Sequence, residues 1–158
     1  MMFYYISEMF DLKGITQFVI GIILMVYASI QLEITWTLLS LSLLLITLFS
    51  AALVQISIII SASCVSFWVI DSWPVLGLAK KLREFAPYPM TIFNGAFRFM
   101  FTFILPVGFI AFYPSQFFLR PEDISPLVYF SPVVGIGLFA IAYKIWTKGI
   151  NSYTGTGS

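Results

Sequence analysis

The chain has 158 residues, 60% of them hydrophobic and only 9% charged, with a mean hydropathy of +0.99. A soluble domain of this size clothes its surface with roughly a quarter charged residues, so a water-facing globule is excluded and a lipid-facing one is favoured. A net charge of +1 leaves no electrostatic footprint for nucleic acid. The lack of histidine removes the commonest general base and metal ligand, and the single cysteine, Cys64, rules out an intrachain disulfide framework.

The N-terminus, from Met1 to Lys13, does not read as a cleavable signal peptide. Glu8 and Asp11 precede its lysine, and no small-residue cleavage site follows a short apolar core. Gly14 to Leu32 then runs nineteen residues without a charge, enough for a first span at about 14–32. Glu33 ends it. Ile34 to Ile70 is uncharged for thirty-seven residues and holds no Gly, Pro, Asn or Asp that would turn a hairpin. It predicts one long helix, with a second span at about 35–66, and two short spans in a hairpin as the alternative. Thr47, Ser50, Ser57 and Ser61 fall near one face of that helix. The stripe reads as a surface for close helix packing, with the lining of a polar substrate path as the alternative.

The main basic cluster follows, with Lys80, Lys81 and Arg83 before a further cation at Arg98. Val75, Leu78, Leu82 and Phe85 recur at helical spacing, with the cations off that stripe. This predicts a short amphipathic helix at about 74–86, lying on the membrane surface and stopped by Pro87 and Pro89. A plain loop held by snorkelling lysines is the alternative. Asp71 and Glu84 belong at the same boundary, solvated or paired with Lys80 or Arg83.

The next apolar stretch gives a third span at about 98–119. Pro106 and Pro114 lie inside it and predict a kinked, broken or re-entrant element. The fourth span, at about 126–147, contains Pro132 near its start. Gly135 and Gly137 would permit close approach of a neighbour. With four spans and both termini inside, the inner side collects Lys13, Lys80, Lys81, Arg83, Arg98, Lys144 and Lys148, leaving only Arg120 outside. Trp36, Trp68, Trp73 and Trp146 fall near span ends, where indoles prefer the interface.

No glycine-rich loop with a lysine is present, so the chain has no means of hydrolysing ATP. No carboxylate lies deep in a span, which argues against a proton-coupled carrier. Without histidine or clustered intramembrane carboxylates, a membrane-embedded enzyme is disfavoured. No cofactor, metal or catalytic residue is expected.

Several segments together resemble a known family. They are Ser66-Phe67-Trp68, then Phe85-Ala86-Pro87-Tyr88-Pro89-Met90-Thr91-Ile92-Phe93, then Arg98 and Phe103-Ile104-Leu105-Pro106-Val107. Phe112-Tyr113-Pro114-Ser115 and the polar tail Lys148 to Ser158 complete the order. The chain resembles the C-terminal portion of a bacterial ABC exporter permease of the type-two, drug and polysaccharide class. The resemblance implies an all-α polytopic helical bundle of about four transmembrane helices in the bacterial inner membrane. It also implies a separate ABC ATPase subunit that supplies energy and a second permease subunit, in a homo- or heterodimer. On this resemblance the segment Lys80, Lys81, Arg83 and Glu84 touches the ATPase or the membrane surface, and the element bearing Pro106 and Pro114 is a re-entrant outer gate. Members of the family usually have about six spans, so the expectation includes a truncated or split permease. An accessory membrane subunit without its own path is the alternative function.

Overall fold

The computed structural model describes residues 12–69, 72–119 and 125–152. Asp71, Arg120, the N-terminal segment before Leu12 and the tail from Tyr153 lie outside the described residues. The described chain is helical, with no strand among its elements. It divides into two units, Met1–Trp36 and Thr37–Ser158.

The first unit holds α1, Leu12–Gln31. Its end is a complete Schellman turn. Ile34 N–H donates to the Ser29 carbonyl at 3.0 Å and Glu33 N–H to Ile30 at 3.4 Å. Glu33 takes the left-handed position at φ 49°, where glycine is the usual occupant. Gly14–Gln31 is long and apolar enough to cross a membrane.

The second unit is built on two long helices, α2 (Leu38–Cys64) and α6 (Leu127–Ser152). Thr37 starts α2 with a capping box. Its hydroxyl accepts from Ser40 N–H at 3.2 Å, and its own N–H donates to Ser40 Oγ at 2.8 Å. With no Gly or Pro to interrupt it, α2 runs unbroken and continues as a 3₁₀ turn, Val65–Phe67. That gives a thirty-residue, predominantly apolar helical run from Leu38 to Phe67, about 45 Å at a rise of 1.5 Å per residue. α6 continues through Pro132 to Ser152, beyond the expected end, because nothing in Tyr143–Ser152 stops a helix.

Two pairs of contacts fix the direction of α6 against α2. Ser50 meets Ser131 and Gly135, and seventeen residues later Phe67 meets Trp146 and Gly149. Both numbers rise together, so the helices run parallel. In a bilayer, parallel neighbours need an odd number of crossings in the chain between them. The apolar element available for that return is a bent pair, Gly95–Ile104 and Val107–Leu119, which meet at 70°.

This pair comprises α4 (Gly95–Phe99), a π-helical turn (Met100–Ile104), a 3₁₀ turn (Val107–Phe109) and α5 (Phe112–Leu119). Asn94 caps α4 by accepting from Phe97 N–H at 3.1 Å, so the element starts before the expected 98. Between α2 and this pair lies α3, Trp73–Arg83, with Pro74 in the first turn and Lys80, Lys81 and Arg83 in the last, where cations suit the helix dipole. α3 ends before the expected 86. Glu84, Phe85 and Ala86 continue in tight turns that bond three residues back, to Lys81, Leu82 and Arg83.

The outward-facing side chains of α2 are mainly apolar. Leu38 is 87% exposed, and Leu39 and Phe49 are 67% exposed, a surface tolerable only in lipid. The protein is an all-α, polytopic membrane bundle; among the described residues three helices can span, with a fourth crossing if the bent pair counts as one.

Candidate functional site

The hydroxyl stripe of α2 divides into two parts. Thr47 is buried and bonds back to the Leu43 and Leu44 carbonyls at 2.9 and 3.0 Å. Ser50 reaches across to α6, donating its hydroxyl to the Ser131 carbonyl. Gly135 lies directly over it: a methyl group there would stand 2.8 Å from Ser50 Oγ and 2.9 Å from its carbonyl oxygen. This is close approach through small residues, with a hydrogen bond between helices. Gly137, expected to share the role, faces open space instead. At the far end of the pair the small residue is Gly149, where a methyl would collide with the Phe67 ring. Trp146 stands edge-on to that ring at 5.5 Å.

Ser57 and Ser61 lie farther along the same face, beyond the close contact with α6. Ser57 is buried and bonds to the Leu53 carbonyl at 2.5 Å. Both line a cavity of about 340 Å³ between α2, α3, α6 and the break. Its other walls are mainly aliphatic: Val75, Leu78 and Leu82 from α3, Leu105 and Pro106 from the break, and Leu138 and Ile141 from α6.

The break is built around Pro106, which sits at φ −69° and ψ 52°, the centre of an inverse γ-turn. Val107 N–H closes that turn on the Leu105 carbonyl at 2.5 Å, while Leu105 N–H reaches back five residues to Met100 at 2.9 Å. The backbone groups that a break would otherwise strand in hydrocarbon are thus bonded locally. Pro114 does not share this role. It lies in the first turn of α5, where a missing N–H costs nothing, and its ring is buried.

One buried polar contact ties the two halves together. Thr102 Oγ1 and Tyr113 OH are 2.7 Å apart, and both residues are almost wholly buried. Gly108 makes room for the tyrosine ring: a methyl there would stand 2.9 Å from Tyr113 Cε2. Beneath lie Met90, fully buried, and an aromatic cluster in which Phe101 stacks on Phe85 at 5.4 Å and meets Phe93 edge-on at 5.1 Å. Sequence alone singled out neither Thr102 nor Gly108, because only the bend brings them to Tyr113.

α3 packs on α2 through Ala79, its buried residue, with Leu76 and Leu82 beside it in the core. Val75, Leu78 and Leu82 of the expected stripe share one face with Ala79, and Phe85 does not. Val75 and Leu78 look into the cavity, and Phe85 has left the helix to join the aromatic cluster. Lys80, Lys81 and Glu84 are exposed and Arg83 is half-buried. No group of His, Cys, Asp or Glu among the described residues suits a metal ion.

A long parallel helix pair, a broken apolar crossing and a basic helix beside them thus make up the described part of the second unit. A family model described as "ABC-2 family transporter protein" matches residues 1–157. No curated protein matches the chain, and no solved structure matches it. The match covers nearly all of the sequence, and the chain belongs to the ABC-2 transporter family of membrane proteins, in which a permease role is carried out with an ABC ATPase partner.

Proposed function

We propose that the protein is the permease subunit of an ABC exporter in the bacterial inner membrane, driven by a separate ATPase and paired with a second permease chain. The observation that carries this reading is the parallel packing of α2 and α6 around a broken crossing. It supports a four-span count, since parallel neighbours demand a return between them. It also brings Lys144 and Lys148 to the end where α2 hands over to α3, with its Lys80, Lys81 and Arg83. That clustering of cations supports a cytoplasmic position for this end, and for both termini.

In this reading the Pro106 break is a gate toward the cytoplasmic end, since Leu105 and Pro106 share a cavity with α3, and the outer position that the resemblance implied does not fit. Its two arms are short, they meet at 70°, and a single buried polar pair joins them. A joint held by so few contacts can change its angle more readily than a straight rod. Lys80 and Glu84, one helical turn apart and both exposed, form the face of α3 offered to the ATPase.

Co-purification from native membranes tests the assignment. The ATPase is expected to come with the wild-type chain, and to be reduced several-fold when Lys80, Lys81 and Arg83 are all changed to Glu. An unchanged complex with unchanged export would remove α3 from the contact. Absence of any ATPase from the wild-type preparation would remove the permease reading itself.

A further inference from the structure

We infer that the cavity between α2, α3, α6 and the break binds one acyl chain of an anionic phospholipid, whose phosphate is held by Lys81 and Arg83. The inference rests on the membrane setting and not on the export reading.

The cavity holds about 340 Å³, at the lower end of the roughly 300–1,000 Å³ usual for ligand sites. Its lining is almost wholly aliphatic, with the hydroxyls of Ser57 and Ser61 as the side-chain polar groups. Ser57 is already bonded within its own helix. Too few polar partners remain to hold water, whereas a hydrocarbon chain fits without loss. The surrounding solvent supplies such chains at very high concentration.

The charge beside the cavity selects the headgroup. Residues on a helix advance about 100° each. Val75, Leu78, Ala79 and Leu82 then centre one face of α3, which lines the cavity. Lys81 falls on one flank of that face and Arg83 on the other, while Lys80 and Glu84 point away. No carboxylate lines the cavity. Exposed Trp68 and Trp73 bracket the link from α2 into α3, a level where indoles meet headgroups. An apolar slot flanked by two cations at that depth complements a phosphate joined to an acyl chain. Because Leu105 and Pro106 form one wall, an occupying lipid would bear directly on the break.

Native mass spectrometry of the full chain tests this, with phosphatidylglycerol and phosphatidylcholine of identical acyl composition as probes. Phosphatidylglycerol is expected to be retained at least tenfold better. Lys81→Gln or Arg83→Gln should bring it down to the phosphatidylcholine level, Lys80→Gln should leave it unchanged, and Ser61→Phe should fill the slot and release both lipids. Equal retention of the two lipids by the wild-type protein would overturn the proposal. So would equal losses in Lys80→Gln and Lys81→Gln, or full retention by a folded Ser61→Phe protein. If Ser61→Phe does not fold, the Lys80 and Lys81 comparison decides alone.

Discussion

The α2/α6 pair and the bent element solve the same problem in opposite ways. Both must keep every backbone polar group bonded in hydrocarbon. The long helices do so by regularity and need only small residues, Gly135 over Ser50 and Gly149 under Phe67, to come close. The bent element gives up regularity and spends its hydrogen bonds locally, through a π-turn, an inverse γ-turn and the Thr102–Tyr113 pair. A rod tolerates many side chains on its outer face but almost nothing at its contact line. A broken segment distributes its dependence over several weak contacts.

Substitutions sharpen that contrast, beginning with the largest effect. Gly135→Leu drives a side chain into the Ser50 backbone and should destabilise the protein by about 3 kcal/mol or more, at the upper end of overpacking costs. Thermal unfolding in detergent reads this directly. Gly137→Leu, two residues away and facing open space, should change the same midpoint by less than about 0.5 kcal/mol. Equal damage at both glycines would contradict the register of α6 on α2. In the bent element, Pro106→Ala frees a backbone held near φ −69° and should cost about 0.4–1 kcal/mol, with a larger effect on export than on stability. Thr102→Val and Tyr113→Phe should each be mild, and a double-mutant cycle should return a coupling of about 0.6 kcal/mol. A coupling of zero would mean the two arms are not joined through these hydroxyls.

How much of this was legible in the sequence follows from the same contrast. The continuity of α2 was readable, since thirty-seven residues without a breaker leave a helix no reason to stop. So was a break in the third stretch, because proline removes a donor wherever it stands. Which proline breaks the chain was not: Pro106 and Pro114 look alike until it is known that α5 begins at Phe112, which puts Pro114 in a first turn. Gly135 and Gly137 are likewise equivalent in sequence, and only the rotation of α6 against α2 distinguishes them. The hydroxyl stripe was visible as one surface but serves two ends, because Ser50 meets α6 closely while a cavity opens at Ser57 and Ser61. The Thr102–Tyr113 pair lies eleven residues apart and forms only across a 70° bend that no local pattern encodes.

The parallel course of α2 and α6 is the claim on which the span count, the sidedness of the cations and the role of the break all depend. In a Cys64→Ser background, single cysteines at Thr37, Val69, Ser125 and Ser152 can be probed with a membrane-impermeant maleimide on intact spheroplasts and on inverted vesicles. Thr37 and Ser125 should react only from the outer face, and Val69 and Ser152 only from the inner. Labelling of Thr37 and Ser152 from the same side would make the two helices antiparallel and contradict the account.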